Sequence, residues 1–224
     1  MHWVEEQDGE DVAIPAEVVD LSFAIECKAL PVDHAWALFE ALAPLLPWLE
    51  QEPLAGIHPL HVAESAHGWQ RPEAPDALLH LSRRTKLVLR LPQERVAQAA
   101  VLTGQTIDIA GHGMIVGEST QLPLSRSTSL FARRVVIEEN EEEEHFLRRQ
   151  IDVMHAMGVR PKKVLPGLSH PLRTPLGQIC VRLLSLEGLT VEESFVLQMH
   201  GLGPARHLGC GIFIAHKPLS KVQI

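Results

Sequence analysis

The chain has 224 residues, 46% of them hydrophobic, and a formal net charge of −8 at pH 7, enough for a packed core in one large domain or two small ones. No apolar run approaches the roughly 18 to 20 residues of a membrane-spanning helix, and the acidic start (Glu5, Glu6, Asp8, Glu10, Asp11) replaces the basic and apolar regions of an export signal. Three widely spaced cysteines, Cys27, Cys180 and Cys210, form neither a disulfide framework nor a paired zinc knuckle, so a reducing cytoplasm is expected.

Val18 to Lys28 alternates apolar and polar residues as a strand does, and Leu30-Pro31 closes it. Asp33 is a good N-cap for a helix in which Ala37, Leu38, Ala41, Leu42 and Leu45 recur at helical spacing until Pro44 and Pro47. Ile57 to Glu64 reads as a strand, and the Pro- and Gly-rich stretch from Gly68 to Pro75 as a loop. Leu78 to Leu91 is extended with a break near Arg83-Arg84, and its second part, Lys86 to Leu91, sends its charges to one face. Gln93 to Leu102 suits a short helix started by Pro92, and Thr106 to Ile109 and Met114 to Val116 are strands around a glycine turn.

That order of strand, helix, strand, strand, helix, strand is the ferredoxin-like unit. A second copy follows: a strand over Leu130 to Ile137, a helix over Glu141 to Met157 with an acidic first turn, strands at Val164 and over Ile179 to Leu186, a helix over Val191 to Gln198, and a strand over Cys210 to His216. The expected fold is α+β, with two tandem ferredoxin-like (RRM-like) units, residues 1–122 and 123–224, joined near Gln121 to Ser129 and carrying a C-terminal glycine-rich loop.

The net charge argues against a nucleic-acid partner until its distribution is read. Residues 1–64 hold thirteen acids against Lys28 alone, and Glu138 to Glu144 adds six more around Asn140. Ser82 to Arg134 holds eight bases against three acids, and His145 to the C-terminus ten against four, so a basic face can coexist with an acidic one. Solubility alone is the plainer explanation of such asymmetry.

Residues 201–211 hold Gly201, Gly203, Gly209, Gly211 and Pro204 between the last expected helix and strand. Glycines let backbone N–H groups converge on a phosphate, with Arg206 and His207 as further donors; a tight turn without a ligand is the alternative. A dinucleotide site needs the glycines between a strand and a following helix, the reverse order.

The run Val196-Leu197-Gln198, Gly-Leu-Gly-Pro-Ala-Arg, then Leu208-Gly-Cys-Gly and an apolar strand resembles the C-terminal glycine-rich loop of the CRISPR-associated endoribonucleases that cut precursor CRISPR RNA, members of the RAMP superfamily. The resemblance is closest to the subfamily of myxobacterial CRISPR loci. It extends to Val18-Val19-Asp20-Leu21, Asp33-His34-Ala35, Gly56-Ile57-His58-Pro59 and Leu130 to Val136. It implies two ferredoxin-like units and cleavage of a repeat hairpin without metal or cofactor. The ribose 2′-hydroxyl attacks its neighbouring phosphate, leaving a 2′,3′-cyclic phosphate and a 5′-hydroxyl. Subunits of a CRISPR effector complex are implied partners, with no membrane; a non-cleaving RNA-binding subunit of such a complex is the alternative.

Such chemistry needs a proton acceptor or donor and charge stabilisation, and histidine suits the first task near neutral pH. Of thirteen histidines, His34 matches the placement on or just after the first helix found in related enzymes, and His58 is the second candidate. A polar residue covering the helix end is the plain reading of His34. Many relatives also use a tyrosine, and this chain has none, which shifts weight to Arg83, Arg84 and Lys86 as charge stabilisers. These three form a strip able to follow an RNA backbone, or a strand edge guarded by charge. Arg133, Arg134 and Arg126 are further candidates, since RNA hairpins are read largely by shape and phosphate contacts. His58, His61 and His67 do not make a standard metal-ligand motif, and no Gly-x-Ser-x-Gly is present.

Overall fold

The structure is a computed structural model that describes residues 12–61 and 77–216. The acidic start, the loop expected from Gly68 to Pro75 and His67 lie outside the described residues. The first half contains β1 (Val18–Glu26), β2 (Ala29–Pro31), α1 (Ala35–Leu42), β3 (Gly56–Ile57), β4 (Leu78–His80), β5 (Lys86–Pro92), α2 (Val96–Ala99), β6 (Thr106–Ile109) and β7 (His112–Leu122). Five of these strands form an antiparallel sheet in the order β3-β5-β1-β7-β6, and β2 pairs with β4.

Alternation sets the register of this sheet. Val19, Leu21 and Phe23 stand opposite Leu91, Leu89 and Leu87, and all six are buried in one core with Leu38, Phe39 and Leu42 of α1. Each such side chain removed from water stabilises the fold by roughly 1.5–3 kcal/mol. The intervening pairs, Asp20 with Arg90 and Ala24 with Lys86, occupy the other face. Part of that face is covered as well, because Val18 packs with Leu124 and Phe195.

The second half contains β8 (Leu130–Val136), α3 (Glu143–Ala156), β9 (Lys163–Thr174), β10 (Gly177–Glu187), α4 (Val191–His200) and β11 (Phe213–Ala215), with sheet order β11-β8-β10-β9. Its core holds Leu130, Ala132, Phe146, Met154, Leu184, Leu197 and Phe213. Among the described residues, no helix is long and apolar enough to cross a membrane.

Several sequence expectations need correction. The strand over Ile57 to Glu64 shrinks to Gly56–Ile57 within the described residues, as Pro59 cannot donate to a ladder. The helix over Gln93 to Leu102 is three short pieces, a 3₁₀ turn, α2 and a second 3₁₀ turn. β9 is twelve residues long where the sequence predicts a strand only at Val164; it holds Pro166 and Pro171, which are tolerated because β9 is a sheet edge. His34, not Asp33, is the N-cap of α1, with no side-chain capping bond. The last helix starts with a full capping box between Thr190 and Glu193.

Candidate functional site

His34 stands at the start of α1, just after β2. Its Nδ1 lies 2.8 Å from the Pro31 carbonyl oxygen, which can only accept, so Nδ1 is the donor of that bond. The ring is 1% exposed. In the strand pair β2–β4, Pro31 faces Leu78, and the bond from the Leu81 N–H to the Lys28 carbonyl (2.9 Å) holds the start of the turn carrying Arg83 and Arg84. Arg83, Arg84 and Lys86 are all exposed. Asp33, displaced from its expected capping role, accepts instead from the backbone N–H of Arg173 (3.3 Å) and from its Nη1 (3.4 Å). Arg173, at the tip of the β9–β10 hairpin, did not stand out in the sequence because it is one basic residue in a proline-broken stretch.

His58 lies elsewhere, in a buried node between the two sheets. Its Nε2 is 3.0 Å from Asp20 Oδ1, and Arg90 clamps the same carboxylate with Nε and Nη2, each at 2.8 Å. Arg90 Nη1 continues to the Gln198 carbonyl of α4 (3.0 Å) and to the Phe213 carbonyl of β11. Burial alone would raise the Asp20 carboxyl, but His58 and Arg90 more than offset it and hold the group far below the usual carboxylate range. The carboxylate makes Nε2 of His58 the donor. Arg90 was legible only as a charge on an alternating strand; its partners come from both halves of the chain.

The glycine-rich loop closes against this node. Gly201, Gly209 and Gly211 have φ of 67°, 81° and 67°, where side chains are disfavoured. A Cβ on Gly201 would lie 2.3 Å from the Gly211 carbonyl oxygen, and one on Gly211 would lie 2.2 Å from that of Leu202. The N–H groups are spent inside the protein: Gly201 on Leu197, Gly209 on Arg206, and Gly211 on Arg134 (2.7 Å). The expectation that these three amides point at a phosphate is therefore corrected, since the glycines serve close approach of backbone to backbone. Gly203 is exposed. Gly211→Ala is expected to lower stability by at least about 1–3 kcal/mol, the scale of one strained backbone position, to be read from the denaturant midpoint.

The loop's cations also turn inward. Arg206 is 8% exposed; its Nε donates to the Ala55 carbonyl (3.2 Å), and Nη2 to those of Leu54 (3.2 Å) and Met199 (3.1 Å). Burial, helped by Arg90 and opposed by Asp20, lowers it from 12.5 to about 10, so it is still a cation at neutral pH. His207 packs its ring 4.5 Å from that of Phe39, and burial pulls its pKa below the ordinary value against the pull of Glu50. The expected phosphate role of Arg206 is corrected to a clamp, because its guanidinium grips the carbonyls just before Gly56.

The neighbours Arg133 and Arg134 part company at a bulge. Ala132 faces Leu184 and Val135 faces Arg182, so two residues of β8 oppose Leu183 alone. Arg134 is 4% exposed, with Nη1 on the Leu208 carbonyl (3.1 Å), which corrects it too from RNA contact to loop support. Arg133 is half-buried, its guanidinium 5.2 Å from the Phe131 ring centroid. Among the described residues no three His, Cys, Asp or Glu side chains are grouped as a metal site.

Three comparisons bear on this geometry. The model of a family described as Cas6 CRISPR matches residues 19–218. The CRISPR-associated endonuclease Cas6 of Myxococcus xanthus (strain DK1622) is 31% identical over 205 residues, covering 92% of this chain and 84% of that protein. Among solved structures, an RAMP protein binding different RNA substrates aligns at a TM-score of 0.58 and 16% identity, over 90% of this chain and 100% of that one. The CRISPR endoribonuclease Cse3 bound to a 19-nucleotide RNA aligns at a TM-score of 0.52 and 13% identity, over 91% of this chain and 100% of that one. The two structural likenesses establish shared fold.

Proposed function

The chain belongs to the Cas6 family of CRISPR-associated proteins, and on that premise we propose that it is a metal-independent endoribonuclease that binds the hairpin of a CRISPR repeat and cuts precursor CRISPR RNA. The ribose 2′-hydroxyl gives up its proton and attacks the adjacent phosphorus, and the 5′-oxygen leaves with a proton. The products are a 2′,3′-cyclic phosphate and a 5′-hydroxyl. We place this chemistry at His34. The observation that supports the placement is the bond of His34 Nδ1 to Pro31 of β2, whose partner strand β4 leads through Leu81 into the exposed turn of Arg83, Arg84 and Lys86. His34 is 1% exposed, and catalytic contacts commonly tighten only in the substrate complex. Arg133 and Gly203 are the remaining RNA-contact candidates.

The same reading takes the architecture as two ferredoxin-like units in tandem, residues 1–122 and 123–224. Supporting it, the first sheet reads β7-β1-β5-β3 and the second β11-β8-β10-β9. Each places the fourth, first, third and second strands of a β-α-β-β-α-β order side by side, with β6 added at one edge. Effector-complex subunits are proposed partners and the cytoplasm the compartment.

His58 is the second reading for the reacting histidine. Its side chain is 13% exposed, more than His34, and Asp20 would hold its Nε2–H and leave Nδ1 for the substrate. Labelled repeat RNA from the same genome, incubated with the protein in EDTA, tests the function itself. Cleavage at one site with a 2′,3′-cyclic end is expected. Tight binding without cleavage would favour a non-cleaving effector subunit, and neither binding nor cleavage would overturn both readings.

A further inference from the structure

The chain has no tyrosine, and Arg206 and Arg134 spend their charge inside the protein, so the group that stabilises the reacting phosphate must come from elsewhere. We propose that Arg173 binds the scissile phosphate beside His34, supplied by the second sheet's hairpin and aimed by Asp33. This rests on the reading of His34 as the reacting histidine.

Asp33 immediately precedes His34, and its Oδ2 accepts both the backbone N–H and Nη1 of Arg173, 140 residues away. The backbone bond sets where β9 passes the start of α1, and the side-chain bond biases which way the guanidinium leans. Among the described residues Nη1 is the guanidinium nitrogen engaged, and the side chain is 51% exposed while that of Asp33 is 10% exposed. An ion pair so open to water holds its partner weakly. Arg173 is thereby steered without being neutralised, and Nε and Nη2 can take two phosphate oxygens in the planar, two-pronged geometry that suits arginine.

Attack by the 2′-hydroxyl puts extra negative charge on the non-bridging oxygens as the O2′–P bond forms and the P–O5′ bond breaks. A fixed cation on those oxygens stabilises that state more than the starting diester. Arg173 makes no proton transfer, and Asp33 is a positioning residue. The site is thus shared: the histidine comes from the first sheet and the phosphate's cation from the second. Arg83, Arg84 and Lys86 then serve the RNA backbone.

Single-turnover cleavage of repeat RNA at saturating protein, in EDTA, tests this with Arg173→Ala, Arg173→Lys, Asp33→Asn and His34→Ala. Binding is measured in parallel on RNA with a 2′-deoxy sugar at the cut site. Arg173→Ala is expected to slow cleavage by roughly 10²–10³-fold, the usual loss for a donor to a developing oxyanion, with binding weakened far less. Arg173→Lys should recover part of the rate, because charge returns without the two-pronged geometry, and Asp33→Asn should fall between wild type and Arg173→Ala. A phosphorothioate at the cut site should slow wild type in one stereoisomer and lose that preference in Arg173→Ala, a change that a merely structural role would not produce. Unaltered cleavage by Arg173→Ala alongside an inactive His34→Ala would overturn the Arg173 assignment alone. Equal losses of binding and rate would also overturn it, making Arg173 a stem contact. Wild-type cleavage by both variants would overturn the reading of this end as the site.

Discussion

Replacing His34 by alanine is expected to slow single-turnover cleavage of repeat RNA by about 10²–10⁴-fold, the range for loss of a positioned acid or base, with RNA affinity nearly unchanged. The Pro31 carbonyl at 2.8 Å holds the ring through Nδ1, and on the proposed reading Nε2 exchanges the proton with the ribose or the leaving oxygen. The affinity should hold because the proposal assigns the phosphate contacts to exposed cations and not to the imidazole. His58→Ala separates the two histidine readings. It is expected to cut at close to the wild-type rate per folded molecule while lowering stability, since it removes one partner of Asp20. A His58→Ala protein that is folded, binds RNA and does not cut would move the chemistry to the Asp20 node.

Arg90→Met is expected to lower stability by about 3–5 kcal/mol, the usual result of removing one member of a buried pair, a fall in Tm of roughly 6–20 °C at this chain length. The arginine is 1% exposed, and its loss strands the Asp20 carboxylate and leaves the Gln198 and Phe213 carbonyls without their donor. Pairing Arg90→Met with Asp20→Leu should restore part of the loss, because a buried pair replaced whole by apolar groups costs less than one broken. Thermal unfolding of the two variants checks both statements. Acid should act on the same node. The folded Asp20 carboxyl titrates far below its ordinary value of 3.8, so the stability it contributes is complete above that value and is lost as pH falls below it. In Arg90→Met that acid-dependent part should shrink.

Periodicity was enough for most of the elements. β1, β5, α3 and α4 stand close to where apolar spacing put them, because their spacing reflects one buried face each. The failures share a cause. Only Val164 reads as strand in β9 because a sequence does not say which strand will be a sheet edge able to carry Pro166 and Pro171, and Asp33 reads as a cap because its competing partner, Arg173, lies 140 residues away.

The strand and helix order, the glycine-rich junction at residues 201–211 and the stock of histidines and bases are legible in the sequence, since all are properties of local spacing and composition. Which of those groups face outward is set by tertiary contacts. Arg134 and Arg206 carry the same charge as Arg83 and Arg84, yet the first two are buried on carbonyls and the second two are exposed. An arginine's periodicity shows which face of a strand it leaves from. Whether that face meets water, RNA or a second sheet depends on contacts made far along the chain.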